Sequence, residues 1–211
     1  MPLDTLENTL THELSDLLSA ENQIAKALQV VAKNADSPQV KQMAEEHHQE
    51  TVGQIENLKQ AFQILGSKPE RGMVCKGAQG IVEENNSTLK EEKPKGAIKD
   101  VALVAGSLRI EHYEIAGYTS AIALAKTLGK REVVQLLQTN LKQEQETARK
   151  LQAAAPELLK MAHSENGSAA SAPAPKTAAP KAPAKKPAAK APTAKATTKK
   201  APAKKAAPRK K

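Results

Sequence analysis

Glu111 and Glu114 stand one helical turn apart in the stretch Arg109-Ile110-Glu111-His112-Tyr113-Glu114-Ile115-Ala116-Gly117-Tyr118. The surrounding run places apolar residues at Val101, Val104, Leu108, Ile115, Tyr118 and Ile122. Glu111 is three residues after Leu108 and four before Ile115, which puts it on the apolar face of a helix. Carboxylates rarely sit on a core-facing stripe unless they are paired or bound to a cation. Two of them there repel each other and lose hydration, so a cation is the natural remedy.

Three further helical patterns carry a carboxylate in the same kind of place. Glu21 lies between Leu18 and Ile24, Glu50 between His47 and Ile55, and Glu144 between Leu141 and Leu151. Four helices that each turn an acid inward form the arrangement of a carboxylate-bridged di-metal bundle. Taken singly, each glutamate reads as a boundary residue salt-bridged to Lys or Arg. Their spacing argues for the collective reading. Glu21 and Glu50 are each about 14 residues from a turn near Ala35 or Asp36, and at ~1.5 Å rise per residue they come level in an antiparallel hairpin. Glu111 and Glu144, about 18 and 15 residues from Gly129, come level to within roughly one turn.

The element boundaries follow from caps and breakers. Helix one runs from about Asp4 to Lys33, with Asp4 or Thr5 as N-cap. Ser37-Pro38 restarts the chain as a second helix that ends at Gly66. Gly66 to Pro94 is a long crossover that contains a short helix from Cys75 to about Asn85. Helix three runs from near Pro94 to about Leu128, and helix four from about Lys130 to Ala162, with a kink or a new short helix expected at Pro156. Period-2 alternation is absent, so no strand is predicted. The fold class is all-α.

Charge divides the chain in two. All 23 acidic residues lie at or before Glu165, with 19 of the 32 basic ones, a net of −4. The other 13 basic residues follow with no acid among them. The expected division is a bundle over 1–163 and a disordered Lys/Ala/Pro-rich tail over 164–211. Eight of the 13 prolines fall in the tail, as do repeats such as Ala182-Pro-Ala-Lys-Lys186 and Ala201-Pro-Ala-Lys-Lys205. Its cations are Lys176, Lys181, Lys185, Lys186, Lys190, Lys195, Lys199, Lys200, Lys204, Lys205, Arg209, Lys210 and Lys211. They favour DNA, held through its phosphates without sequence reading. Base stacking is excluded by composition, since Phe62, Tyr113 and Tyr118 are the only aromatic residues. No apolar anchor accompanies the charges, which argues against a membrane. The single cysteine, Cys75, permits no internal disulfide and fits a cytoplasmic protein. It reads as a small buried residue rather than a nucleophile.

The strings Leu14-Ser-Asp-Leu-Leu-Ser-Ala-Glu21, Glu50-Thr-Val-Gly-Gln54-Ile-Glu56, Cys75-Lys-Gly-Ala-Gln-Gly-Ile-Val-Glu-Glu84 and Glu111-His-Tyr-Glu-Ile-Ala-Gly-Tyr118 resemble the bacterial YciE/YciF family of stress proteins, in the ferritin-like superfamily. The resemblance covers about Leu3 to Leu159. It implies a ferritin-like four-helix bundle, a homodimer and a di-iron or di-manganese site. Glu111-x-x-Glu114 matches the paired glutamates of rubrerythrin's third helix. The tail resembles those of linker histones. One departure concerns Glu-x-x-His, which ferritins and rubrerythrins supply from the second and fourth helices. The matching positions here are Gly53 and Thr147. His47, three residues before Glu50, is the candidate replacement, and Gln54 a candidate neutral ligand. The metal set is therefore Glu21, His47, Glu50, Glu111, Glu114 and Glu144. His48 points elsewhere, and His112, about 100° round the helix from Glu111, reads as a surface residue or a support behind the ligands. Tyr113 and Tyr118 read as core or interface residues, with a radical or hydrogen-bonding role near the metal as the lesser reading of Tyr118. The function expected is removal of iron and peroxide close to DNA. The alternatives are a DNA-compacting protein with a dimerising bundle, and a di-metal oxidase or peroxidase for a small molecule.

Overall fold

A computed structural model of the chain describes residues 3–170. Five α-helices and one π-helical turn make it up: α1 Leu6–Asn34, α2 Pro38–Leu65, α3 Lys76–Ser87, the turn Thr88–Glu92, α4 Gly96–Thr127 and α5 Arg131–Ala170. There is no strand among the described residues. The caps are those the sequence announces. The Thr5 hydroxyl accepts from Asn8 N–H at 3.0 Å. Ser37 caps α2 with Pro38 in the first turn, and Gly66, at φ 63°, closes it in the left-handed conformation that only glycine adopts cheaply.

α1 packs on α2 and on α4, and α5 packs on α4 and on α2. Two hairpins thus close a four-helix bundle. Leu10, Phe62, Ala125 and Val133 share one apolar cluster, so α1 begins where α4 ends. At the other end the Asp100 carboxylate, at the start of α4, accepts from Asp36 N–H at 2.9 Å and Ser37 N–H at 2.8 Å. The crossover must therefore travel the length of the bundle, which explains why it is long. α3 lies within it and packs on α1 and α4 through Cys75, Ala78, Ile81 and Val82.

The core has an apolar plug towards each end of the bundle, a polar layer between them, and a third apolar cluster where α3 packs on α1 and α4. One plug contains Leu14, Leu17, Leu58, Phe62, Ile122 and Leu137. The other contains Val40, Leu103, Val104, Leu151 and Leu158. On α2, α4 and α5 the chain between the plug residues carries the inward acids, and on α1 Glu21 follows Leu17, so the polar layer sits at mid-height.

Of the two expectations at Pro156, a new short helix does not occur, because α5 continues through the proline. Ala154, Leu158 and Ala162 extend the buried stripe on both sides of the proline. Packing of that stripe outweighs the ~3 kcal/mol that an interior proline costs. No helix among the described residues is long and apolar enough to cross a membrane. The thirteen tail cations, Lys176 to Lys211, lie outside the described residues.

Candidate metal centre

Helical spacing brings the acids together. His47, Thr51 and Gln54 share one buried face of α2, Glu111, Glu114 and Tyr118 one of α4, and Asn140, Glu144 and Thr147 one of α5. α1 contributes Glu21. Glu21, Glu111, Glu114 and Glu144 are each 0% exposed and His47 is 2% exposed. His47 stands at the centre. Its Nε2 lies 3.3 Å from Glu111 Oε1 and 3.6 Å from Glu144 Oε2. On the other side of the ring, Nδ1 lies 3.4 Å from Glu50 Oε2 and 3.3 Å from Thr147 Oγ1. His47, Glu111 and Glu144 each offer a ligand atom within 4.8 Å of the others. Donors about 2.1 Å from one ion stand roughly 3.0–3.4 Å apart, so the spacing is that of a metal site.

Burial leaves the donors hungry. Neither oxygen of Glu111 or Glu114 has a hydrogen-bond partner, and the same is true of Glu21 Oε2, Glu144 Oε2, Gln54 Oε1 and His47 Nε2. The 3.3 Å approach of His47 Nε2 to Glu111 is close enough for charge attraction but lies off the hydrogen-bond direction. Among the described residues no lysine or arginine pairs with Glu21, Glu111, Glu114 or Glu144, which removes the salt-bridge reading of those four. Buried acceptors left bare each cost about 1–3 kcal/mol, more when charged. A cation resolves all of them at once.

The proton affinities record the same conflict. Burial pushes Glu21 up to about 8, against the opposing pull of its Tyr118 hydrogen bond. Burial also raises Glu114 and Glu144 well above the carboxylate range, and neighbouring carboxylates add to it. For His47 burial disfavours the charge, but Glu111, Glu50 and Glu144 outweigh it and hold the imidazole well above its ordinary range. Glu50 differs. It is held down by the His47 hydrogen bond, and its side chain is 30% exposed. It sits at the rim of the cluster. Beside it a cavity of about 20 Å³ borders His47, Glu111 and Thr147. That volume holds about one water-sized molecule.

Three polar side chains hold the acids in place. The Tyr118 hydroxyl donates to Glu21 Oε1 and accepts from Asn140 Nδ2 at 3.0 Å. Asn140 also donates to the Gln54 carbonyl at 3.3 Å and accepts from Asn57 Nδ2 at 2.7 Å. The Gln54 amide donates to Glu144 Oε1. Tyr118 is thus both a core residue and a partner of Glu21. Asn140 gave no sequence signal, although its place one turn before Glu144 was available. Thr147 occupies the Glu-x-x-His slot, and its hydroxyl donates to Glu50 Oε2 at 3.3 Å.

The remaining candidates lie outside the cluster. His48 is half-buried and His112 exposed, both off the inward face of their helices. Cys75 is fully buried, with Sγ 2.9 Å from the Tyr113 hydroxyl, which donates to Asp16 Oδ2 at 3.0 Å. Burial raises the Cys75 thiol further, which makes it a poor nucleophile.

Residues 5–163 match a family described as a domain of unknown function, DUF892. Protein YciF of Escherichia coli strain K12 is 36% identical over 151 residues, 72% of this chain and 90% of YciF. The crystal structure of the E. coli stress protein YciF is similar at a TM-score of 0.72 and 35% identity, covering 75% of this chain and 99% of that one. YcfI, a putative structural protein from Rhodopseudomonas palustris, gives 0.68 at 38% identity, over 72% of this chain and 97% of its own. A protein of Xanthomonas campestris, 22% identical with a TM-score of 0.61, shares the fold.

Proposed function

The chain belongs to the DUF892 family, and from that premise we propose that its bundle is a two-metal carboxylate centre that consumes ferrous iron with peroxide or oxygen close to DNA. The observation that carries this reading is the set of buried, unpartnered donors on four helices. Glu21, Glu111, Glu114 and Glu144, with His47 and Glu50, would hold the ions. Carboxylate oxygens with one imidazole suit iron or manganese better than copper. Bound iron or manganese would supply the one-electron steps that carry electrons from ferrous iron to the oxidant.

The chain's own groups supply binding and protons. Glu21, Glu114 and Glu144 keep protons to higher pH than ordinary carboxyls. Cation binding releases those protons inside the site, where they can serve oxygen atoms that leave as water. Glu50, partly open to solvent, is placed to receive an entering cation. The cavity beside it suits one water-sized molecule. The cationic segment 168–211 would tether the bundle to DNA phosphates. A cytoplasmic homodimer associated with the nucleoid completes the proposal, and a stress protein among the relatives agrees with it.

The test compares the full chain with a Glu111→Gln, Glu144→Gln double variant. Both are loaded with ferrous or manganous ion, assayed for metal, and then given peroxide. About two metals per chain in the parent, most of it lost in the variant, with peroxide-dependent ferrous oxidation, supports the reading. A parent that takes up no metal sinks it, and the bundle is then a scaffold for a DNA-binding tail.

A further inference from the structure

A cavity of about 160 Å³ lies between α1, α4 and the end of the crossover. Its walls include Ala27, Leu28, Val82, Leu89, Leu103 and Ile110. Its inner end is Glu111, 0% exposed and with both oxygens unpartnered, beside the nearly buried hydroxyl of Ser107. Its outer rim is formed by the exposed side chains of Glu84 and Arg109. The cavity therefore runs from solvent to an acid of the metal centre, and it shares Leu28, Val31, Ser107 and Glu111 with the small cavity at Glu50.

Backbone features keep this space open on one side and closed on the other. The chain widens to a π-helical turn at Thr88–Glu92, and Lys93 then takes φ 47° before Pro94. Such turns are uncommon and concentrate at functional sites. Nearby, Gly106 lets Asn85 close on α4, since a Cβ there would stand 2.4 Å from Asn85 Oδ1. The crossover is thus pressed against α4 at Asn85 and lifted over the cavity beyond it.

We propose that this cavity is a binding pocket for a small uncharged organic molecule with an apolar body and one hydroxyl-type donor, seated with that donor at Glu111. Size excludes peroxide as its intended occupant, because cavities of about 150 Å³ hold a benzene-sized ligand. The aliphatic walls suit an apolar body and penalise an anion, which would lose its hydration with no cation at the buried end to replace it. The inner end offers bare carboxylate oxygens, which accept a donor and repel an anion. The pocket deepens the metal-centre reading, on which it depends for any chemistry, by naming the class of molecule that reaches the centre.

Phenol is the probe. The full chain is titrated with phenol, both metal-free and loaded, by calorimetry and by methyl shifts of Ala27 and Ala102. Two plugging variants accompany it: Ala102→Phe on α4 and Val82→Phe on the crossover, where the bundle itself is untouched. The expected result is millimolar binding with shifts at both alanines, weakened at least tenfold in each folded variant, with metal content unchanged. No phenol binding to the parent, shifts elsewhere on the molecule, or parent-like binding in a folded variant overturns the proposal. Failure to load metal, with phenol binding intact, sinks the metal reading and leaves the pocket standing.

Discussion

At the scale of single residues the centre is held in tension. Glu21 titrates near 4.5 in the unfolded chain and at about 8 in the folded one. Between those values the folded chain binds the extra proton, so stability falls as pH rises. His47 acts in the same sense. Its raised affinity stabilises fully below the ordinary 6.5 and is lost as pH rises through the folded value. Glu50 acts in the opposite sense, but its contribution is lost only as pH falls below the ordinary 4.5. The metal-free protein should therefore melt higher at about pH 5.5 than at about pH 8. Thermal denaturation in chelator checks this, and a curve that rises with pH would contradict it. A bound cation takes over the protons' role, so metal should flatten or reverse the trend. Tyr118→Phe separates support from ligation. It strips Glu21 Oε1 and Asn140 Nδ2 of a partner at a cost of about 1–3 kcal/mol, and loss of such a supporting bond lowers metal affinity by about 10–100-fold. The expected signature is a lower melting temperature in chelator together with weaker metal uptake in competition with a chelating dye.

At the scale of elements, one acid organises the junction of the two hairpins. Asp100 is 2% exposed and caps α2 from another helix by receiving two backbone N–H groups. Asp100→Ala should cost about 1–3 kcal/mol, since two partly exposed backbone N–H groups lose a buried, charged acceptor. Urea denaturation at neutral pH measures it, and a loss under about 0.5 kcal/mol would show that solvent replaces the cap. Legibility from the sequence follows the same division between local and distant causes. Thr5, Ser37-Pro38 and Gly66 were readable because a cap is local chemistry. The inward face of Glu21, Glu111, Glu114 and Glu144 was readable because helical phase is local too. Unpredicted features depend on partners remote in the chain. Asn140 matters because Tyr118 and Asn57 meet it from other helices. His47 belonged to the expected metal set, but its place at the centre depends on Glu111 and Glu144, which converge on it. At Pro156 no new helix begins, because the buried stripe of Ala154, Leu158 and Ala162 carries α5 through.

At the scale of the whole molecule, the charge division becomes a statement about linkage between two parts. Up to Glu165 the chain carries a net −4, and everything cationic beyond that balance follows it. An acidic bundle has no general attraction for DNA, so affinity on this proposal comes from the 13 cations at the end of the chain. Phosphate contacts release counterions. If about eight of the lysines engage, log affinity should fall against log salt with a slope of roughly −7. Three fluorescence-anisotropy series test it: the full chain, the chain cut after residue 167, and the full chain with the Glu111→Gln, Glu144→Gln pair. The full chain and the double variant should share one slope, and duplexes of different sequence should give the same affinity. The cut chain should lose binding. Retained binding by the cut chain would place the DNA surface on the bundle. A shallower slope in the double variant would show that the centre and the DNA contact are coupled, so that metal occupancy and DNA binding would have to be treated as one equilibrium.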